Sequence, residues 1–288
     1  MKKRAIVVYL ERKKPLMLQF NSLYESLKYI NCDDTDLVVF GTNEALIKVP
    51  DDCIKVECPP LSSPSDWLSY RFINSISCLV SDKSDFLEGY EYILRTDLDT
   101  FLTPAWNTFY PALYTVGRGG YVNNDEVREN IKRISEHFGL KHKGIYNIGS
   151  SHYGSAFLVR EVCRLALKVA NYLITVEFKN QKGAWPGWYF GVITMYSMEI
   201  AANHLVEKMI INDQLLDFGS ASEDSIVNHP HIHCWHTNNV FSKFYFADGK
   251  YDSLWTGEMP SEKVKDYCLY IALKSKYNPS PSLKQIYL

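Results

Sequence analysis

Near the start of the chain, apolar positions run without a break from Ala5 to Leu10 in "RAIVVYL", with charge on either side. A strand that is apolar on both faces must be covered on both, so this run predicts a buried strand in a layered sheet. The spacing then changes in "PLMLQFNSLYESLKYI". Leu16, Phe20, Leu23, Leu27 and Ile30 recur at helical intervals, which predicts an amphipathic helix. "DLVVF" reads as a second buried strand and "CIKVEC" as a short third. "SDWLSYRFINSISCLV" predicts another helix, with Ser65 as its N-cap and Leu68, Phe72, Ile76 and Leu79 on one face. "YEYILRTDLDTFL" is the fourth strand.

Strand and helix alternate up to this point, the pattern of an α/β domain with a largely parallel sheet. Further on, "GRGGYV" and "KGIYNIGSSHYGSAFLV" are rich in glycine and read as loops feeding short strands. "REVCRLALKVANYLI" and "WYFGVITMYSMEIAANHLVEKM" have helical period, and "HIHCWH" alternates like a strand. No linker, charge run or internal repeat divides the chain. The expectation is therefore one domain over residues 1–288, with a C-terminal tail from about residue 247 packed on as a helix and an extended end.

Composition narrows the partners. Lys and Arg number 31 against 33 Asp and Glu, so a net charge of -2 exerts no long-range pull on a polyanion and argues against nucleic acid as the main partner. The seven cysteines are odd in number and form no CxxC pair, which suits reduced thiols in an intracellular protein. No segment approaches the roughly 20 apolar residues that span a bilayer, so a cytoplasmic location is expected. Tyrosine (20) and tryptophan (6) exceed what a core alone requires, and such rings suit stacking on a sugar or a base.

Asp97 and Asp99 stand out against that background, because "YILRTDLDTFLT" is otherwise built for burial. They fall where the fourth strand leaves the sheet, and ligands of open α/β sheets gather beyond the carboxyl ends of the strands. Residues two apart in extended chain point the same way, so the two carboxylates converge while Leu98 turns back to the core. Carboxylates held that close repel unless something neutralises them, and a hard divalent cation with oxygen ligands does so. The plain alternative is an Asp-rich turn after a strand.

This arrangement resembles glycosyltransferases of the GT-A fold, whose DxD motif follows a central strand and binds the Mn²⁺ or Mg²⁺ that bridges a nucleotide-sugar diphosphate. "IVVYLE" and the helix after it look like that fold's opening strand and helix, which implies a base and ribose site near Tyr9, Leu10 and Glu11. "SDWLSYRFINS" resembles the family's helix before the DxD strand, with Arg71 as the basic residue facing the donor and Leu98 of the motif beside it. "HIHCWHTNNVFSK" resembles the late strand whose histidine completes the metal site and whose following lysine meets the diphosphate. His236 and Lys243 take those parts, with His233 the rival ligand on the opposite face of the strand. "YNIGSSHYG" resembles the strand beside the donor sugar and implies roles for Asn147, Gly149 and Ser150, while "GAWPGWYFG" places Trp185 and Trp188 in the acceptor region.

The resemblance implies a mixed, mostly parallel sheet flanked by helices, with a nucleotide-binding half over about residues 1–105 and an acceptor-binding half over about 106–246. It implies a donor of the nucleotide-sugar class, UDP-xylose first, and a glycan acceptor. The phrases "RTDLDTFLTPAW", "WPGWYFGV" and "HIHCWHTNN" look most like small chlorovirus glycosyltransferases that build capsid glycans, among them xylosyl- and rhamnosyltransferases. That implies work in the host cytosol. One departure matters: "PGWYFGV" lacks the acidic residue that serves inverting members as base, which leaves Asp213, Glu199 and His152 as substitutes. Two other readings stay open. "DLDT" also fits the nucleophile motif of haloacid-dehalogenase-type phosphatases, although the usual downstream acidic motif is missing. A carbohydrate-binding protein with a structural metal would keep the aspartates but give Arg71 and Lys243 nothing to do.

Overall fold

The computed structural model describes residues 3–62, 65–235 and 241–287, with side chains up to residue 284. Strand β1 (Arg4–Leu10) is buried along its whole length, and its side chains divide between two cores. Ala5, Val7 and Tyr9 join one cluster, and Ile6, Val8 and Leu10 the other. That division explains the unbroken apolar run. Helix α1 (Lys14–Tyr29) covers the second face with Phe20, Leu23, Tyr24 and Leu27. Burying each such side chain contributes roughly 1.5–3 kcal/mol.

The chain continues through β2 (Thr35–Gly41), α2 (Asn43–Leu46), β3 (Ile54–Glu57), α3 (Asn74–Ser77) and β4 (Tyr92–Arg95). It goes on to β5 (Thr100–Leu102), β6 (Tyr114–Arg118), α4 (Asp125–His137), β7 (Ile148–Ser155), α5 (Ala156–Tyr172) and α6 (Ile193–Leu205). Then come β8 (Met209–Ile211), β9 (Phe218–Gly219), β10 (His231–His233), α7 (Lys243–Ala247), α8 (Val264–Tyr277) and α9 (Pro281–Tyr287). The main sheet has seven strands in the order β3-β2-β1-β4-β7-β6-β8. Its pairs are parallel except those of β7, which runs against β4 and β6. This is the mixed, mostly parallel sheet flanked by helices that the sequence led us to expect. Helices α5 and α6 cover the face opposite α1.

A second sheet, β5-β10-β9, holds the late histidines. His233 pairs with Thr100 of β5, and the Cys234 amide donates to the Asp99 carbonyl at 2.9 Å. This register sets a residue from the end of the chain beside the acidic motif. Helix α8 backs the small sheet through Tyr267, Cys268 and Ile271.

Three local readings change. "YEYILRTDLDTFL" is two strands in different sheets, and the aspartates occupy the turn between them. Residues 65–80 form a series of 3₁₀ turns around the single turn of α3, in place of one amphipathic helix. Leu68 and Phe72 are exposed there, while Trp67, Tyr70 and Ile73 are buried. The Ser69 and Ser75 hydroxyls bond carbonyls three residues back and offer the backbone an alternative to helix. The end of the tail is helical, as α9, where an extended end was expected.

Candidate active site

Arg95 ends β4 with its guanidinium buried. It donates to the Ser75 carbonyl at 3.3 Å, to the Ser150 carbonyl and Ser75 hydroxyl, and to Asp97 Oδ1 at 3.1 Å. The chain then turns, Leu98 packs into the α1-side core, and Asp97 and Asp99 line the cleft on either side of it in sequence. One ligand atom from each of Asp97, Asp99 and His233 lies within 4.8 Å of the other two. Asp99 Oδ1 stands 3.3 Å from His233 Nε2, and Lys243 Nζ bonds Asp99 Oδ2. Burial raises the Asp99 pKa, but charge and hydrogen bonding from His233 and Lys243 outweigh it and hold the carboxyl well below the usual range. For His233, burial opposes protonation while Asp99 and Asp217 favour it, and the net shift is upward.

Behind His233 lies a buried polar chain. Asp217 accepts from the Ser151 amide at 2.9 Å and the Ser151 hydroxyl at 2.5 Å. The Ser151 hydroxyl lies 2.8 Å from Thr96 Oγ1, which lies 2.9 Å from His231 Nε2. His231 Nδ1 accepts from the Asp217 amide at 3.1 Å. Burial lowers the His231 pKa to about 4, so this ring is neutral.

A cleft of about 1380 Å³ opens over the aspartates. On the α1 side Tyr9, Glu11, Arg71 and Lys243 line it, and Leu98 reaches its floor. Glu11 Oε2 holds Arg71 at 3.2 Å and Lys13 at 2.7 Å. Leu10 is buried in the core and does not line the cleft. Across the cleft stand Ser150, Trp185 and Asp213. Trp185 is 55% exposed, and Phe72, which also lines the cleft, is 71% exposed. Asp213 is half exposed and sits 3.6 Å from Arg118, another cleft residue.

The other expected site residues lie elsewhere. Glu199 is fully buried, accepts from the Tyr121 hydroxyl at 2.6 Å, and lies 3.7 Å from His142. His152 is buried in β7 with Tyr114 Oη at 2.9 Å, and burial, with Arg95 nearby, lowers its pKa to about 3. Neither reaches the cleft. The Asn147 side chain clips the Val122 amide at 2.7 Å and the Val122 carbonyl at 3.0 Å. Trp188 is stacked between Phe178 and Tyr196, with its Nε1 donating to Glu177 at 3.1 Å. Gly149 faces the Asp217 carboxylate, where a Cβ would stand 2.4 Å from Oδ2. His236 lies outside the described residues, and among those described His233 stands beside Asp99.

Sequence reasoning missed Asp217, Arg95 and Arg118. Asp217, in "LLDFGS", has no local mark in the sequence. The available signal was the pair His231 and His233, two apart on a strand and so on one face.

A family model described as "Domain of unknown function (DUF7164)" matches residues 1–280. No curated protein matches the chain. Among solved structures, the chain is similar to one described as "Crystal structure of a glycosyltransferase involved in the glycosylation of the major capsid of PBCV-1". The two share 11% identity with a TM-score of 0.45, and the match covers 85% of this chain and 97% of that one.

Proposed function

The chain belongs to this family of unknown function, and from the geometry of its cleft we propose that it is a metal-dependent glycosyltransferase acting on a nucleotide-sugar donor. The observation that carries this reading is the convergence of Asp97, Asp99 and His233 at the mouth of β4, with Lys243 beside them, under a cleft of about 1380 Å³. Two carboxylates and an imidazole suit a divalent cation, and the imidazole favours Mn²⁺ over Mg²⁺. Asp97, Asp99 and His233 would hold that cation. When bound, it supplies Lewis-acid stabilisation of a diphosphate leaving group.

The chain's own groups do the rest. Lys243 and Arg71 bring positive charge to the α1 side of the cleft and stabilise the departing diphosphate electrostatically. Tyr9, with its hydroxyl tied to the Cys58 carbonyl at 3.1 Å, presents its ring to the nucleoside. Trp185 and Phe72 offer exposed ring faces to an acceptor sugar. Asp213 is the substitute base that faces the cleft, and in this reading it takes the acceptor's proton. The first donor to try is UDP-xylose, and the acceptor is a glycan hydroxyl, with capsid glycan synthesis in the host cytosol as the setting. Among the described residues no helix is long and apolar enough to cross a membrane.

A thermal-shift series with UDP, GDP, ADP and CMP, each with and without Mn²⁺, tests the reading. One nucleoside diphosphate at 100 times its Kd should add about 2.7 kcal/mol, a rise of about 4–5 °C, and only with the metal. No shift with any of the four would sink the proposal. Asp213→Asn with full transfer activity would remove that residue as base.

A further inference from the structure

Asp217 is costly to hold where it is. Its φ of 58° lies in the left-handed region, which costs a non-glycine residue about 1–2 kcal/mol. Its side chain is fully buried. Two strand residues have no side chain where they meet it: a Cβ on Gly117 or Gly149 would stand 2.2 or 2.4 Å from Asp217 Oδ2. Strain, burial and two glycines together place one carboxylate at one point, and that point is behind His233.

The direction of the hydrogen bonds shows what the carboxylate does there. The Asp217 amide donates to His231 Nδ1, so the His231 proton is on Nε2 and goes to Thr96 Oγ1. The Thr96 hydroxyl then donates to Ser151 Oγ, whose own proton goes to Asp217 Oδ1. His231, 3.8 Å from Oδ1, therefore has no proton to offer Asp217. His233 does, because its Nδ1 lies 3.3 Å from Asp217 Oδ1 while its Nε2 faces Asp99 at 3.3 Å. Ser150 Oγ is a second neighbour of Nδ1, at 3.4 Å. The Trp235 ring lies against the imidazole, centroids 4.6 Å apart, and its Nε1 donates to the Asp217 carbonyl at 3.4 Å.

We infer that Asp217 is a positioning residue that holds the Nδ1 proton of His233 and so leaves Nε2 to complete the cation site with Asp97 and Asp99. Carboxylates in this position fix the ring and tautomer of a liganding histidine, and their loss commonly costs 10–100-fold in metal affinity. The inference rests on the metal site proposed above, and it assigns a function to a residue outside the Asp97, Asp99 and His233 cluster.

Mn²⁺ titrations of the full chain, followed by the electron paramagnetic resonance signal of free Mn²⁺, test it without any transfer assay. Asp217→Asn should raise the Mn²⁺ Kd by about tenfold or more, and Ser150→Ala should change it less than twofold. An Asp217→Asn protein that is folded and binds Mn²⁺ within twofold of the wild type overturns the inference and leaves the metal site standing. A wild type that binds no Mn²⁺ overturns both. Histidine-¹⁵N spectra of the wild type with added Zn²⁺ decide the matter even where the variant fails to fold. His233 should keep its proton on Nδ1 and bind through Nε2, and the opposite tautomer overturns the inference.

Discussion

Asp97 and Asp99 sit one residue apart in different surroundings. Asp97 is about one-third exposed and braced by Arg95, whereas Asp99 is nearly buried between His233 and Lys243. Asparagine at either position should abolish Mn²⁺ binding and lower transfer by about 10²-fold or more, read from product formation. His152 supports a prediction of another kind. Burial holds its folded pKa at about 3, against about 6.5 for an unfolded histidine. The unfolded chain therefore takes up a proton that the folded one refuses, so stability falls as pH drops from about 6.5 towards 3 and is insensitive to this group above that window. Urea midpoints across that range should fall less steeply in His152→Leu. His231, with a pKa lowered to about 4, keeps part of the slope.

At the scale of elements, the site depends on how closely β6, β7 and the Asp217 turn approach one another. A Cβ on Gly149 would meet the Asp217 carboxylate at 2.4 Å and the Gly117 backbone at 2.5 Å. Gly149→Ala should cost about 2–3 kcal/mol in urea denaturation and weaken Mn²⁺ binding together. The resemblance implied a sugar-side role for Gly149, and the residue faces the Asp217 carboxylate, a neighbour set by how distant segments meet and by nothing local in its strand. The same limit appears in residues 65–80, where helical spacing of Leu68 and Phe72 coincides with serines that turn the backbone into 3₁₀. The α4 helix was not read at all, although Asn124 caps it through the Val127 amide at 3.0 Å.

The whole molecule is closed by a tie between its two ends. Glu25 of α1 is fully buried, bonds Lys274 of α8, and accepts from the Ser280 amide at 2.9 Å. Glu25→Ala leaves a cation and an amide without their acceptor and should destabilise the fold by about 3 kcal/mol, measured by chemical denaturation. Closure also backs the small sheet with α8, and that sheet presents His233 to Asp99. Loss of the tie should therefore weaken Mn²⁺ binding as well as stability.

The α/β class, the two-faced burial of β1 and the exit of Asp97 and Asp99 from a buried strand were all determined by the sequence alone, because each rests on the period of side chains along one element. Only the tertiary structure decided that His233 stands beside Asp99, that Asp217 stands behind it, and that Asp213 faces the cleft while Glu199 and His152 do not. Those facts depend on the register of β10 against β5 and on the meeting of β6, β7 and the Asp217 turn. Such pairings join residues far apart in the chain, and no local period encodes them.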